Sequence, residues 1–239
     1  MTQEQVKQLE ENVKTVRANM NAACEKIGKD PKDVMLVAAT KMNDAERVAA
    51  ALQFDIDAAG ENRVQELMDK YEQHAYDGKP LHFIGTLQTN KVKYLMGKVS
   101  LIHSVSSVKL AKAIGKEAVK HGLVQDILVE INVGGEESKS GISVDEVYTS
   151  IEEISKIEGI HVRGLMTIPP RATYEGENNV YFHKMHELFV DISSKKYDNV
   201  DMDYLSMGMS DDYAEAIACG ANIVRVGTAI FGARDYSKK

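Results

Sequence analysis

Residues 35–44 read "MLVAATKMND" and place a lysine, Lys41, just past an unbroken apolar run. Five apolar residues in succession, Met35 to Ala39, read as a strand buried on both faces, as in a parallel sheet. A lysine at the carboxyl end of such a strand has two uses. As a structural residue it reaches out to water or pairs with an acid. As a chemical one it loses its proton and attacks a carbonyl to form a Schiff base. The second use needs a pKa well below the ordinary ~10.4, and burial near another cation shifts it that way. Arg225, which opens "RVGT" (225–228), is such a cation. That turn and "SMGMS" (206–210) bring hydroxyls from Ser206, Ser210 and Thr228, and glycines at Gly208 and Gly227. Backbone N–H groups made approachable by glycine suit a phosphate, although glycines in such turns also serve simply to let the chain bend. Asp211 and Asp212 would repel a phosphate, so their carboxylates are expected to face away from it. An amine, a phosphate cup and an arginine together suit pyridoxal 5′-phosphate (PLP), with its aldehyde, phosphate and pyridine ring.

The elements that must hold these residues follow a strand-then-helix rhythm. Candidate strands are Val34–Ala39, Ile56–Gly60, His82–Gly85, Leu101–Ser104, Asp126–Val133, Val162–Thr167, Tyr204–Ser206 and Asn222–Val226. Amphipathic helical patterns lie between them, for example Val108 to Lys120 and Val144 to Ile157. Asn43-Asp44-Ala45-Glu46 and Ser143-Val144-Asp145-Glu146 fit the capping-box pattern, with Asn43 as the cap of the helix that follows Lys41. Eight such units without a break in composition predict a single (β/α)8 TIM-type barrel spanning residues 1–239. An open doubly wound sheet would need a Gly-rich turn after its first strand, and Thr40-Lys41-Met42-Asn43 has no glycine. Residues 1–28 add an N-terminal helix. Val6, Leu9, Val13, Val16, Met20 and Ile27 form one apolar stripe, suited to docking on the barrel rather than to a coiled coil of about three heptads.

In a barrel, chemistry gathers at the carboxyl ends of the strands. Those ends offer Lys41, Glu61 and Asn62, Gly85 to Gln88, His103 and Ser104, Asn132, Met166 and Thr167, and the two turns already named. Glu61 is the main carboxylate in the set, fewer than a metal-assisted hydrolase or an acid–base isomerase usually needs. Other patterns carry less. "GTLQTNK" (85–91) lacks the second glycine of a Walker loop, and "GMSDD" fails the nucleophile-elbow pattern. His183 and His186 read as a solvated helix face rather than a metal site, and "GGEESKSG" (134–141) reads as a polar loop.

The bulk numbers narrow the class. The 239 residues are 44% hydrophobic and 27% charged, with four prolines and no tryptophan, as in an ordinary globular chain. The net charge of −7 argues against a general nucleic-acid binder and requires any phosphate site to be built locally. Cys24 and Cys219 form no CxxC and are expected to be unpaired thiols in a reduced, cytoplasmic protein. Cys219 falls in an alanine-rich segment and reads as a small buried hydrophobe. No stretch approaches the ~20 apolar residues of a membrane span, and the polar N-terminus does not read as a secretory signal.

"VAATK", "GENRVQE", "HFIGTLQTNK", "SKSGI", "RGLMTI", "LSMGMSDD" and "VRVGTAIFG" occur in this order and resemble the pyridoxal phosphate homeostasis proteins, the YggS/PROSC group. The resemblance implies a barrel like the alanine racemase amino-terminal domain, with PLP held as an internal aldimine on Lys41. It implies Asn62 beside the ring and Arg225 facing the pyridine nitrogen. Ser206, Gly208, Ser210, Gly227 and Thr228 would surround the phosphate. An arginine there keeps the ring nitrogen unprotonated and weakens the ring as an electron sink. In alanine racemases the opposing tyrosine comes from a carboxyl-terminal β-domain, whereas this chain stops with "GARDYSKK" soon after its eighth strand, so a second base is expected to be missing. The expected function is intracellular storage, buffering or delivery of PLP with little turnover, apo PLP enzymes being the acceptors and the protein a monomer. The alternatives are an amino-acid racemase, and an aldolase-type barrel using Lys41.

Overall fold

A computed structural model describes residues 1–232 and shows a closed, all-parallel barrel. Five strands pair in chain order: β1 (Met35–Ala39), β2 (Ala58–Glu61), β3 (Leu81–Phe83), β4 (Leu101–Val105) and β5 (Gln125–Asn132). A two-residue strand, β6 (Ile142–Ser143), adds to the end of β5 outside the barrel wall. The wall continues through β7 (Ile160–Met166), β8 (Val200–Ser206) and β9 (Ile223–Val226). β9 then pairs with β1, Val37 opposite Arg225, and the barrel closes.

The helices are α1 (Gln3–Lys26), α2 (Ala45–Ala51), α3 (Val64–Glu72), α4 (Val108–Lys120), α5 (Val147–Ser155), α6 (Asn179–Lys195), α7 (Tyr213–Ala218) and α8 (Thr228–Phe231). The third unit departs from the expected pattern. After β3 the chain forms a 3-10 helix, Thr89–Tyr94, instead of an α-helix. Thr89 and Asn90 are weak helix formers, and Gly97 at φ +73° ends the segment, so too few residues remain for stable α-helical turns. The helix expected from Val144 starts as a 3-10 turn at Val144–Glu146 and becomes α-helical at Val147. Among the described residues no helix is long and apolar enough to cross a membrane. Of "GARDYSKK", residues 233–239 lie outside the described residues.

Side chains alternate across the wall, as a two-residue strand period requires. One buried cluster, Val37, Ala58, Leu101, Leu128, Met166 and Ile223, fills the interior. Their neighbours, among them Leu36, Ala38, Ala59, Ile102, Ile127 and Val224, form the second layer with the helices.

Helix α1 begins with a full capping box. Thr2 Oγ1 accepts from Gln5 N, and Gln5 Oε1 accepts from Thr2 N. Leu9, Val13, Val16 and Met20 are buried against the barrel as the stripe predicts, whereas Ile27 lies past the last turn and is 44% exposed. The helix packs on α7 and α8, and Asn12 Nδ2 donates to the Ile230 carbonyl at 2.8 Å.

The wall is tightest at Gly164, where the β7–β8 register shifts. Its φ is +143°, and a Cβ there would stand 1.9 Å from the Tyr204 carbonyl oxygen. Gly164→Ala is therefore expected to lose on the order of 3 kcal/mol of stability. A denaturant midpoint equal to that of the parent protein would contradict this account of the wall.

Candidate functional site

The apolar interior changes character toward the carboxyl ends of the strands. Glu130 follows Leu128 on the inward parity, His103 follows Leu101, Ser206 follows Tyr204, and Arg225 follows Ile223. Three of them, His103, Ser206 and Arg225, are linked by hydrogen bonds. Arg225, 3% exposed, donates from Nη1 to Ser206 Oγ at 2.5 Å and from Nη2 to the Thr167 carbonyl at 2.9 Å. Ser206 Oγ lies 3.0 Å from His103 Nδ1, and His103 Nε2 lies 3.0 Å from His82 Nδ1.

Burial sets the charge state of this layer. It lowers the Arg225 pKa to about 10, against the opposing pull of Glu130 and Asp212, so the guanidinium is still a cation at neutral pH. Burial holds His82 down to about 4. It holds His103 well below the usual imidazole value too, helped by His82 and Arg225. Both rings are therefore neutral at pH 7, one nitrogen donating and the other accepting along the chain. Glu130 is pushed up to about 7 by burial, with Arg225 opposing, and its Oε2 is buried without a hydrogen-bond partner.

Lys41 follows β1 on the lumen parity and is half-buried. The expected cap at Asn43 is replaced by its neighbour. Asp44 caps α2, its carboxylate accepting from Arg47 N at 2.8 Å, while Asn43 Nδ2 donates to the Lys41 carbonyl at 3.0 Å. Asn43 is too close to the lysine turn to reach the third amide of the helix. Ser143 likewise caps no backbone amide; its hydroxyl bonds Glu146 Oε2 at 2.8 Å. Glu61 and Asn62, both expected at the active face, part company. Asn62 keeps the inward parity, and its Oδ1 is buried without a partner. Glu61 faces the helix layer, where its Oε2 accepts from Lys70 Nζ at 2.8 Å and Thr40 Oγ1 at 2.9 Å.

The two Gly/Ser/Thr turns lie side by side, with Arg225 N donating to the Gly208 carbonyl at 3.0 Å. Ser210 Oγ accepts from Gly227 N at 3.1 Å and Ala229 N at 3.3 Å, so two backbone amides converge on one point at the start of α8. Thr228 beside them is exposed. The glycines differ in what they do. Gly208 has φ +91°, and a Cβ would meet Ala216 Cβ at 2.6 Å, so packing against α7 explains it. Gly227 has φ −115°, and a Cβ would meet only Ala39, at 3.4 Å. Neither backbone nor packing demands a glycine there. The Asp212 carboxylate is occupied by Met209 N at 2.7 Å and Asn178 Nδ2 at 2.9 Å, and Asp211 is exposed. Ser206, fully buried between Arg225 and His103, belongs to the interior chain rather than to these amides.

Glu130, His82 and Lys70 were not singled out by sequence reasoning. An acid in the apolar run "ILVEIN" was the available signal for Glu130. Cys24 and Cys219 are both buried with raised thiol pKa values, burial being the main cause. Cys219 Sγ lies 3.6 Å from His183 Nε2.

Residues 11–235 match the family model described as alanine racemase, N-terminal domain. A curated protein of Aquifex aeolicus, named pyridoxal phosphate homeostasis protein, is 43% identical over 95% of this chain and 98% of its own length. The chain belongs to the pyridoxal phosphate homeostasis protein family. The Escherichia coli member is 34% identical over 95% of this chain and 97% of its own. Among solved structures, a protein of Bifidobacterium adolescentis superposes with a TM-score of 0.91 at 34% identity, covering 97% of each chain. PipY of Synechococcus elongatus, solved with PLP bound, gives 0.81 at 26% identity over 94% of this chain and 100% of its own.

Glu130 supplies a stability test. Its pKa in the fold is raised above the unfolded value near 4.5. The folded state therefore binds more protons between about pH 4.5 and 7, and stability falls as pH rises through that window. Glu130→Gln removes this loss and is expected to stabilise the unloaded protein by on the order of 2 kcal/mol at pH 8, with the gain shrinking toward pH 5. A pH-independent difference in melting temperature between the two proteins would sink the assignment.

Proposed function

We propose that this protein stores, buffers or hands on PLP inside the cell, holding it as a Schiff base on Lys41, with little catalysis of its own. Lys41 would hold the aldehyde end of the cofactor, its amine being the group that could condense there with loss of water. Ser210, Gly227 and Thr228 would hold the phosphate, with Gly208 shaping the turn. Asn62 would lie beside the ring, and Arg225 would face its nitrogen. The residues suit such a ligand on several counts. A buried Asn62 oxygen has no partner, two amides converge at Ser210, and Gly227 leaves room that the protein itself does not use. Ser206 is assigned a different part from the one the resemblance implies. It orients Arg225.

The observation that carries the reading is the buried guanidinium. PLP supplies an electron sink when bound, and that sink is strongest with a protonated ring nitrogen. A cation held at the nitrogen disfavours the proton, so the cofactor would be retained and kept quiet. His82 and His103 add no general acid at neutral pH, because both are held neutral and bonded to each other. Apo PLP enzymes are the proposed acceptors, a monomer the proposed carrier, and the cytoplasm its compartment. A second reading, an amino-acid racemase, is favoured by Glu130, whose carboxyl can exchange a proton near pH 7.

Borohydride reduction of the PLP-loaded protein followed by digestion should place the label on the peptide bearing Lys41, and Lys41→Ala should abolish it. Label on another lysine overturns the assignment. Measurable racemisation of free amino acids by the purified protein would favour the racemase instead. The phosphate assignment is tested by a pair of glycines. Gly227→Ala should fold normally yet bind PLP about tenfold more weakly, whereas Gly208→Ala should lower the melting temperature first. Equal PLP affinity for Gly227→Ala and the parent protein would remove Gly227 from the phosphate site.

A further inference from the structure

Outside the barrel wall, between β1, β2 and α3, lies a charged cluster for which the proposed function has no use. Lys70, in the last turn of α3, has a side chain only 5% exposed. Its three N–H donors are all directed to oxygens at 2.8 Å: Glu61 Oε2, Glu66 Oε1 and the Thr40 carbonyl. Buried lysines are uncommon, and one saturated in this way holds its partners in one arrangement.

The partners share a neighbour. Thr40 immediately precedes Lys41, and Lys70 fixes its carbonyl while Glu61 receives its hydroxyl at 2.9 Å. Met42 immediately follows Lys41, and its N–H is bonded by Glu66 Oε1. Met42 also has φ +61°, a left-handed conformation that a residue with a long side chain adopts only when its surroundings hold it there. The cluster thus grips the main chain on both sides of Lys41. It reaches the next turn as well, because Glu61 Oε1 accepts from Asn62 N at 2.9 Å. Tyr76 closes the group, its hydroxyl donating to Glu61 Oε2 at 3.2 Å and kept protonated by burial and by Glu61.

We infer that the Glu61–Lys70–Glu66 cluster is a clamp that positions Lys41 from behind the barrel wall and so sets how long the protein retains its carbonyl ligand. Lys70 and Glu66 are positioning residues. They stand on the helix side of the wall and act on Lys41 through the backbone of Thr40 and Met42. The inference rests on the Schiff-base reading of Lys41, but the order of the Thr40–Met42 turn is measurable without any ligand.

Two variants test it. Glu66→Gln alters a side chain that is 22% exposed and leaves the buried Glu61–Lys70 pair intact. The double variant Glu61→Gln with Lys70→Met removes both buried charges together, so neither is left unpaired. Circular dichroism and melting establish that each is folded, and Glu66→Gln alone decides the matter where the double variant is not. In the unloaded protein, hydrogen exchange at the Met42 amide should speed up about tenfold or more. After loading with PLP, release into a carbonyl trap should speed up to a similar extent, with the borohydride label still on Lys41. A folded variant whose exchange and release both stay within about twofold of the parent overturns the clamp. Absence of label on Lys41 in the parent protein would overturn the Schiff-base reading instead, and the exchange measurement would still decide whether the clamp orders the turn.

Discussion

A closed parallel barrel leaves a side chain two destinations, the lumen or the layer of helices, and neighbours in sequence take opposite ones. The rest of this molecule is organised by that constraint. Val37 and Ile223 belong to the lumen, and so does Arg225 near the end of β9, while Lys41 falls on the same parity just past the end of the adjacent β1. Thr40 and Glu61, one residue out of phase, go to the helix side and meet Lys70 and Tyr76. The ion pairs of Lys70 with Glu61 and Glu66 thus lie outside a wall one strand thick, away from the lumen.

The lumen itself is graded. Its floor is aliphatic, and above it lies a layer of polar side chains that satisfy one another from His82 through His103 and Ser206 to Arg225. A buried guanidinium tolerates such depth only because hydroxyl and carbonyl oxygens replace the water it has lost. The same depth keeps two imidazoles neutral and a carboxyl half-protonated near pH 7. Arg225 thus stays charged at that depth, and its place in the wall is fixed by β9.

Much of the barrel was readable from sequence because parallel strands buried on both faces appear as plain apolar runs, as in Met35 to Ala39 or Ile127 to Val129. Where one face meets solvent the signal weakens. The first four residues of β8, Val200 to Asp203, alternate with aspartates, and only Tyr204 to Ser206 read as strand from sequence. Strand β6 is two residues long, below anything a pattern can register. In the site, Lys41 and Arg225 were legible because charges at the ends of apolar strands stand out. Lys70 was not, because with Glu66 four residues earlier it looks like any solvated pair on a helix. Its meaning depends on Glu61, nine residues away in sequence and on a different element. Glu61 and Asn62 were grouped together because their opposite parities cannot be seen until the strand's facing is known.

Helix α1 and helix α8 lie at opposite ends of the described chain yet are packed together, and Asn12 and Arg47 bond the carbonyls of Ile230 and Phe231. The apolar stripe of α1 is covered in large part by α7 and α8, which come far later in the sequence. Contacts of such long sequence separation form late in folding. Closure of the wall by β9, docking of α1 and the turn around Ser210 and Gly227 thus all draw on the same late segment of the chain.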